Sequence, residues 1–144
     1  MHIYCLPSEQ QTRADTFYRA QRWPMRASKK AQVWVAEEQE IVAALCLQHV
    51  ESGLWLTSLL VAPEHRCQGL ARQLMSTAFS AGAAGVWLFC EPSLVAFYQR
   101  SGFNPTSQLP PALASRLARY QRSKPLSACY RPADQGANPA LLSR

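Results

Sequence analysis

The segment Leu59-Leu60-Val61-Ala62-Pro63-Glu64-His65-Arg66-Cys67-Gln68-Gly69-Leu70-Ala71 passes from a β-rich apolar stretch through a proline turn and a glycine into a helical apolar period. That order builds an anion site. A helix start leaves its first backbone N–H groups unpaired and carries the positive end of the helix dipole, so a pyrophosphate placed there is held by main chain alone. Gly69 lets the backbone approach a phosphate closely, Ala71 keeps the next turn small, and Arg66 and Arg72 add positive charge. A glycine before a helix is more often a plain turn, so the loop gains weight only beside a second motif.

The elements that must position this loop follow from period and punctuation. His2 to Leu6 reads as a first strand, and Pro7-Ser8 opens a helix in which Ser8 caps, Gln11 completes a capping box, and Ala14, Phe17 and Tyr18 give one apolar face. Residues 21–31, with Pro24 and many cations, read as a loop or a short second helix. Gln32 to Glu37 and Ile41 to Val50 form a hairpin, and Glu51-Ser52-Gly53 turns into a third antiparallel run, Leu54 to Ala62. Leu70, Leu74 and Ala78, with Ala71 and Met75 alongside, mark a helix that Gly82 can terminate.

Val86 to Cys90 is a short continuous apolar run, as expected of a strand buried on both faces in a locally parallel pairing. Pro92 starts another helix, with Leu94, Phe97 and Tyr98 near one face and Gly102 where a C-terminal cap belongs. Phe103 to Gln108 is extended, Pro110-Pro111 opens a helical pattern through Leu113, Leu117 and Tyr120, and Pro125 to Tyr130 supplies a last strand. The expected fold class is α+β, a mixed, mostly antiparallel central sheet of about six or seven strands flanked by helices. Residues 1–131 are expected to form one domain and 132–144 a flexible C-terminal tail.

Composition narrows the function classes. Apolar residues make up 48% and charged residues 17%, the balance of a globular chain and not of a disordered one. The apolar runs Ile41 to Leu47 and Leu54 to Ala62 are far shorter than a membrane span, and Glu9, Arg13, Asp15 and Arg19 interrupt any secretory signal. The five cysteines are odd in number, scattered and without a CxxC pair, which argues against a disulfide framework or a zinc site and for a reducing cytoplasm. The net charge of +6 is concentrated in residues 1–32 and 100–131, while 33–99 is net acidic. A partner carrying phosphates fits this distribution; nucleic acid ranks last, because the basic residues lack the RRM, KH and zinc-finger patterns.

With the elements in order, Arg66-Cys67-Gln68-Gly69-Leu70-Ala71 resembles the Arg/Gln-x-x-Gly-x-Gly/Ala signature of the GCN5-related N-acetyltransferase (GNAT) superfamily. Leu94-Val95-Ala96-Phe97-Tyr98-Gln99-Arg100-Ser101-Gly102-Phe103 resembles that family's A-x-x-F-Y-x-x-x-G-F helix and strand, and the likeness extends over about residues 2 to 108. The resemblance implies the acyl-CoA N-acyltransferase fold and acetyl-CoA as co-substrate. It implies that the backbone of Leu59, Leu60 and Val61 meets the pantetheine amides and the thioester carbonyl, and that Arg66, Cys67, Gln68, Gly69, Leu70, Ala71 and Arg72 cradle the pyrophosphate. Tyr98 matches the tyrosine that protonates the departing thiolate.

Two departures matter. Many members carry a carboxylate base on the strand before the proline turn, whereas Leu54 to Val61 has none, which leaves Glu51 as the candidate base, with His49 and Glu91 also near. The asparagine frequent at the start of the second helix is replaced by Glu91-Pro92-Ser93. The expected activity is transfer of an acetyl group to a primary amine, on a small molecule or a peptide, with Trp23, Met25 and Glu91 as candidate acceptor contacts. No metal is expected, and the chain would act as a monomer or homodimer away from membranes. The alternative is a catalytically weak acyl-CoA sensor or regulatory partner of the same fold.

Overall fold

A computed structural model of the chain describes residues 1–24, 27, 30–82 and 84–133. In chain order the elements are β1 (His2–Cys5), α1 (Gln11–Ala20), β2 (Ala31–Glu38), β3 (Glu40–Val50), β4 (Gly53–Val61), α2 (Leu70–Ser80), β5 (Gly85–Cys90), α3 (Val95–Gln99), β6 (Asn104–Pro105), α4 (Pro111–Tyr120) and β7 (Ser127–Arg131). Single 3-10 turns stand at Ser8–Gln10, Pro63–His65 and Pro92–Leu94. The strands follow the order β1-β2-β3-β4-β5-β7-β6 in one seven-stranded sheet. The fold class is therefore the expected α+β architecture. Two compact units make it up: Met1–Gln48 with Leu56–Ala81, and His49–Trp55 with the described residues from Gly82 onward.

In the first unit β1 and β2 pair antiparallel, as do β2 and β3 across the turn at Gln39, whose φ is +68°. Alternation buries Val33 and Val35 from β2, while β3 is buried continuously from Val42 to Leu47, as befits a strand covered on both faces. Leu74 and Met75 of α2 join Tyr18 of α1 among the fully buried side chains. Each such aliphatic side chain contributes about 1.5–3 kcal/mol by leaving water. On the rim, Tyr4 of β1 donates its hydroxyl to Glu37 of β2, and Arg13 of α1 reaches both, at 3.0 Å from the Tyr4 oxygen and 3.0 Å from the Glu37 carboxylate. This network ties the helix to the sheet edge.

The expected capping box at Ser8 does not form. Ser8 begins a 3-10 turn closed by main chain, Gln10 N–H to the Pro7 carbonyl at 2.9 Å, and the α-helix starts at Gln11 without a side-chain cap. The Gln11 side chain instead donates to the Ala31 carbonyl at 3.0 Å. Pro7, fixed in extended backbone at φ −57° and ψ 147°, sets the geometry that makes the tighter turn the nearer closure.

In the second unit β5 and β7 pair antiparallel from Val86↔Arg131 to Cys90↔Ser127, and β6 adds Asn104↔Tyr130 and Pro105↔Cys129. The last strand thus enters between β5 and β6. The predicted extended stretch 103–108 forms a strand only at Asn104–Pro105, with Thr106 N–H adding one further bond to the Ala128 carbonyl at 2.9 Å. Gly53 and Gly85, the first residues of neighbouring strands β4 and β5, lie so close that a Cβ on Gly53 would stand 2.5 Å from the Gly85 carbonyl oxygen. Strands that begin side by side run the same way, which is the parallel pairing expected for β5. Trp55, Trp87 and Leu113 form the core of this unit, with Phe89, Tyr120 and Tyr130 packed against it.

Candidate active site

The glycine loop lies wholly in the first unit. After β4 the chain makes the Pro63–His65 turn, and Cys67 and Gly69 both adopt left-handed backbone, at φ +62° and +76°. Gly69 is the N-cap of α2, and the first helical bond runs from Gln73 N–H to the Gly69 carbonyl at 3.0 Å. The N–H groups of Leu70, Ala71 and Arg72 consequently have no intrahelical acceptor. A Cβ added at Gly69 would meet nothing within 4 Å, so the backbone here borders open space. Left-handed turns leading into a helix N-terminus aim main-chain donors at one spot, and this is the geometry that receives a diphosphate.

The arginines divide their work. Arg66 is exposed and folds back so that its Nε donates to the Val61 carbonyl at 2.9 Å, closing the end of β4. Arg72, in the first turn of α2, lines an open pocket of about 470 Å³ together with Gly69, Gln73 and Ser76. Among the described residues neither guanidinium is within 4.0 Å of a carboxylate. Gln68 turns its side chain to the Glu64 carbonyl at 3.4 Å, and His65 lies 3.9 Å from Glu38.

β4 itself departs from regular strand geometry. Ser58 has φ +55° and is buried, and the two residues after it, Leu59 and Leu60, are both half-buried instead of alternating. Such an irregularity turns backbone groups away from the ladder and bends the strand.

Tyr98, in the second unit, sits on the short helix α3. The helix ends in a double main-chain bond, Phe103 N–H to the Tyr98 carbonyl at 3.2 Å and Gly102 N–H to the Gln99 carbonyl at 3.1 Å, with Gly102 at φ +91°. Arg131 Nε donates to the Ser101 carbonyl at 3.2 Å and so fastens this cap from β7. The Tyr98 ring stands edge-on to Phe97 and Phe103, at centroid distances of 5.0 and 5.9 Å. Burial, reinforced by the Cys90 and Cys129 thiols, pushes its phenol up to about 12, so the hydroxyl keeps its proton at neutral pH.

The remaining candidates are less built. Glu51 is exposed in the turn between β3 and β4, and Glu91 is exposed ahead of the Pro92–Leu94 turn; no hydrogen bond or ion pair engages either side chain among the described residues. His49 is exposed at the end of β3. Trp23 is half-buried, its indole N–H has no hydrogen-bond partner among the described residues, and its backbone N–H donates to the Tyr18 carbonyl at 2.8 Å. Met25 lies outside the described residues, as do residues 134–144 of the expected tail. Among the described residues no three His, Cys, Asp or Glu side chains gather to hold a metal ion.

Sequence reading missed the Tyr18 hydroxyl's bond to the Ser58 carbonyl at 2.7 Å, and the stacking of the Arg116 guanidinium 5.1 Å over the Trp55 ring. Neither pairing has a local signal, since 40 and 61 residues separate the partners.

A seven-stranded mixed sheet with a glycine loop opening a helix after β4 is the architecture of acyl-CoA N-acyltransferases. The acetyltransferase (GNAT) domain model matches residues 29–105, more than half of the 144-residue chain, and the protein belongs to that family. Solved structures agree on the fold. The ribosomal-protein-S18-alanine N-acetyltransferase of Escherichia coli superposes with a TM-score of 0.65 at 17% identity, over 93% of this chain and 94% of that one. Ard1 from Thermoplasma volcanium gives 0.66 at 16% identity, over 93% and 98%. An acyl-CoA N-acyltransferase from Pseudomonas aeruginosa gives 0.63 at 20% identity, over 90% and 98%. No curated protein sequence matches the chain.

Proposed function

We propose that the protein is an acetyl-CoA-dependent N-acetyltransferase that acetylates a primary amine by direct attack in a ternary complex. The observation that carries this reading is the loop Arg66–Arg72, where two left-handed residues and a helix start leave main-chain N–H groups free beside open space. Those groups and the two arginines suit a diphosphate. The exposed side of Leu59 and Leu60 suits an amide-bearing arm that adds to the strand by main-chain bonds.

In the proposed reaction the neutral amine attacks the thioester carbonyl, the carbon–sulfur bond breaks, and Tyr98 gives its phenolic proton to the departing thiolate. The proton lost by the amine leaves to Glu51 or through water. The acceptor is a small-molecule or peptide amine, contacted by Trp23, Met25 and Glu91. Residues 1–131 form the catalytic domain. None of the five cysteines is joined in a disulfide among the described residues, which suits a reducing cytoplasm.

Calorimetric titration with acetyl-CoA, followed by a thiol-release assay over a panel of amines and peptides, tests the proposal. Binding together with steady turnover on at least one amine supports it. Tight binding with no turnover on any amine would favour the sensor reading, and no binding at all would overturn both.

A further inference from the structure

The most constrained main-chain unit of β4 is held by a side chain that the chemistry above leaves unused. Ser58 adopts φ +55° in mid-strand, a left-handed conformation that is strained for a residue with a Cβ. It persists only where the surroundings over-determine it. Ser58 is 9% exposed, and its carbonyl accepts the Tyr18 hydroxyl at 2.7 Å. Tyr18, on α1, is fully buried, and its hydroxyl also lies 3.8 Å from the Cys46 sulfur. A buried carbonyl needs a donor and a buried phenol needs an acceptor, and here each meets the other.

We propose that Tyr18 is a positioning residue: its hydrogen bond locks Ser58 in the left-handed conformation and thereby fixes how the Leu59–Val61 backbone is presented to the coenzyme's amide arm and thioester. The proposal rests on the reading that this segment receives acetyl-CoA. The consequence is a division of labour within one unit. The glycine loop holds the nucleotide end of the coenzyme without help from Tyr18, and the strand beyond Ser58 holds the acyl end only while Tyr18 is bonded.

The test measures hydrogen exchange of the β4 amides, and calorimetric affinity for two probes, acetyl-CoA and adenosine 3′,5′-bisphosphate, which lacks the arm. In Tyr18→Phe, exchange at Leu59–Val61 should accelerate about tenfold while α2 stays unchanged, and acetyl-CoA affinity should fall about tenfold with bisphosphate affinity retained. Adding Ser58→Gly, which adopts positive φ without strain, should restore most of the acetyl-CoA affinity. Ser58→Val with Tyr18 intact should reproduce the selective loss, which keeps the idea testable if Tyr18→Phe fails to fold. Equal losses for both probes, unchanged β4 exchange, or no rescue by glycine would overturn the inference. Failure of the unsubstituted protein to bind acetyl-CoA would overturn the coenzyme reading first, and this inference with it.

Discussion

Arg66 Nε and the Val61 carbonyl oxygen lie 2.9 Å apart, so the signature arginine spends one donor on the end of β4 before any ligand arrives. Its position is thus set in advance, and the proposed coenzyme's phosphates would meet the remaining guanidinium donors. Arg66→Lys keeps the charge but loses the fork that makes both contacts. The expected result is about tenfold weaker acetyl-CoA binding by calorimetry, with thermal stability little changed. Affinity equal to the unsubstituted protein would show that charge alone suffices.

Tyr98→Phe removes the proposed proton donor and leaves the ring contacts with Phe97 and Phe103 in place. Turnover should fall about 100-fold or more, with acetyl-CoA affinity unchanged. Because the phenol is pushed up to about 12, it remains protonated across the working range. The rate at saturating substrate should therefore show no alkaline loss from this group below about pH 11. A Phe variant with full turnover would remove Tyr98 from the mechanism.

The same burial has a stability consequence. The folded protein holds the Tyr98 proton up to about 12, whereas the unfolded phenol releases it near the ordinary phenol value of 10.0. The contribution is fully present below pH 10 and is lost as the pH rises toward 12, because there the unfolded state gains by ionising while the folded state does not. Urea midpoints measured from about pH 8 to about pH 11 should fall at the alkaline end, and less steeply in Tyr98→Phe. Burial also raises the Tyr18 phenol, so the slope should diminish without vanishing.

Two glycines should fail differently. A Cβ on Gly85 would collide with the Tyr130 hydroxyl oxygen and stand 2.6 Å from the ring carbon that bears it, so Gly85→Ala must displace a ring packed 4.7 Å from Trp87. A loss of about 1–3 kcal/mol in urea unfolding is expected. Gly69→Ala meets no atom, and its cost is the left-handed backbone alone, about 1–2 kcal/mol. It should in addition weaken acetyl-CoA binding, which Gly85→Ala should leave intact; the opposite pattern would remove Gly69 from the coenzyme loop.

What could be read from residue order was what residue order encodes locally. The loop from Arg66 to Ala71 and the cap at Gly102 are contiguous, and each depends on a glycine placed at a positive φ. The strand runs were legible because Val33, Val35 and the Val42–Leu47 stretch carry their burial in their own periods. The exception among local signals was Ser8, where the serine-to-glutamine spacing suggested a capping box but Pro7 closed a 3-10 turn first. Pairings that depend on how distant elements pack left no trace in the order: Tyr18 with Ser58, Arg131 with Ser101, and Arg116 with Trp55. The base remained open for a similar reason, since Glu51 and Glu91 are exposed turn residues whose environment nothing nearby in sequence determines.

Of the five thiols, Cys46, Cys90 and Cys129 are buried, whereas Cys5 and Cys67 are exposed. Cys67 belongs to the very loop assigned to the diphosphate, and Cys5 lies at the end of β1 with desolvation holding its thiol above the ordinary value. A maleimide dye applied to native protein would therefore mark no more than two positions, and the slower of them would be Cys5. Under the proposed coenzyme reading Cys67 becomes an occupancy reporter: shielding of a single labelling event would register the nucleotide end of a bound ligand without tag, crystal or knowledge of the acceptor.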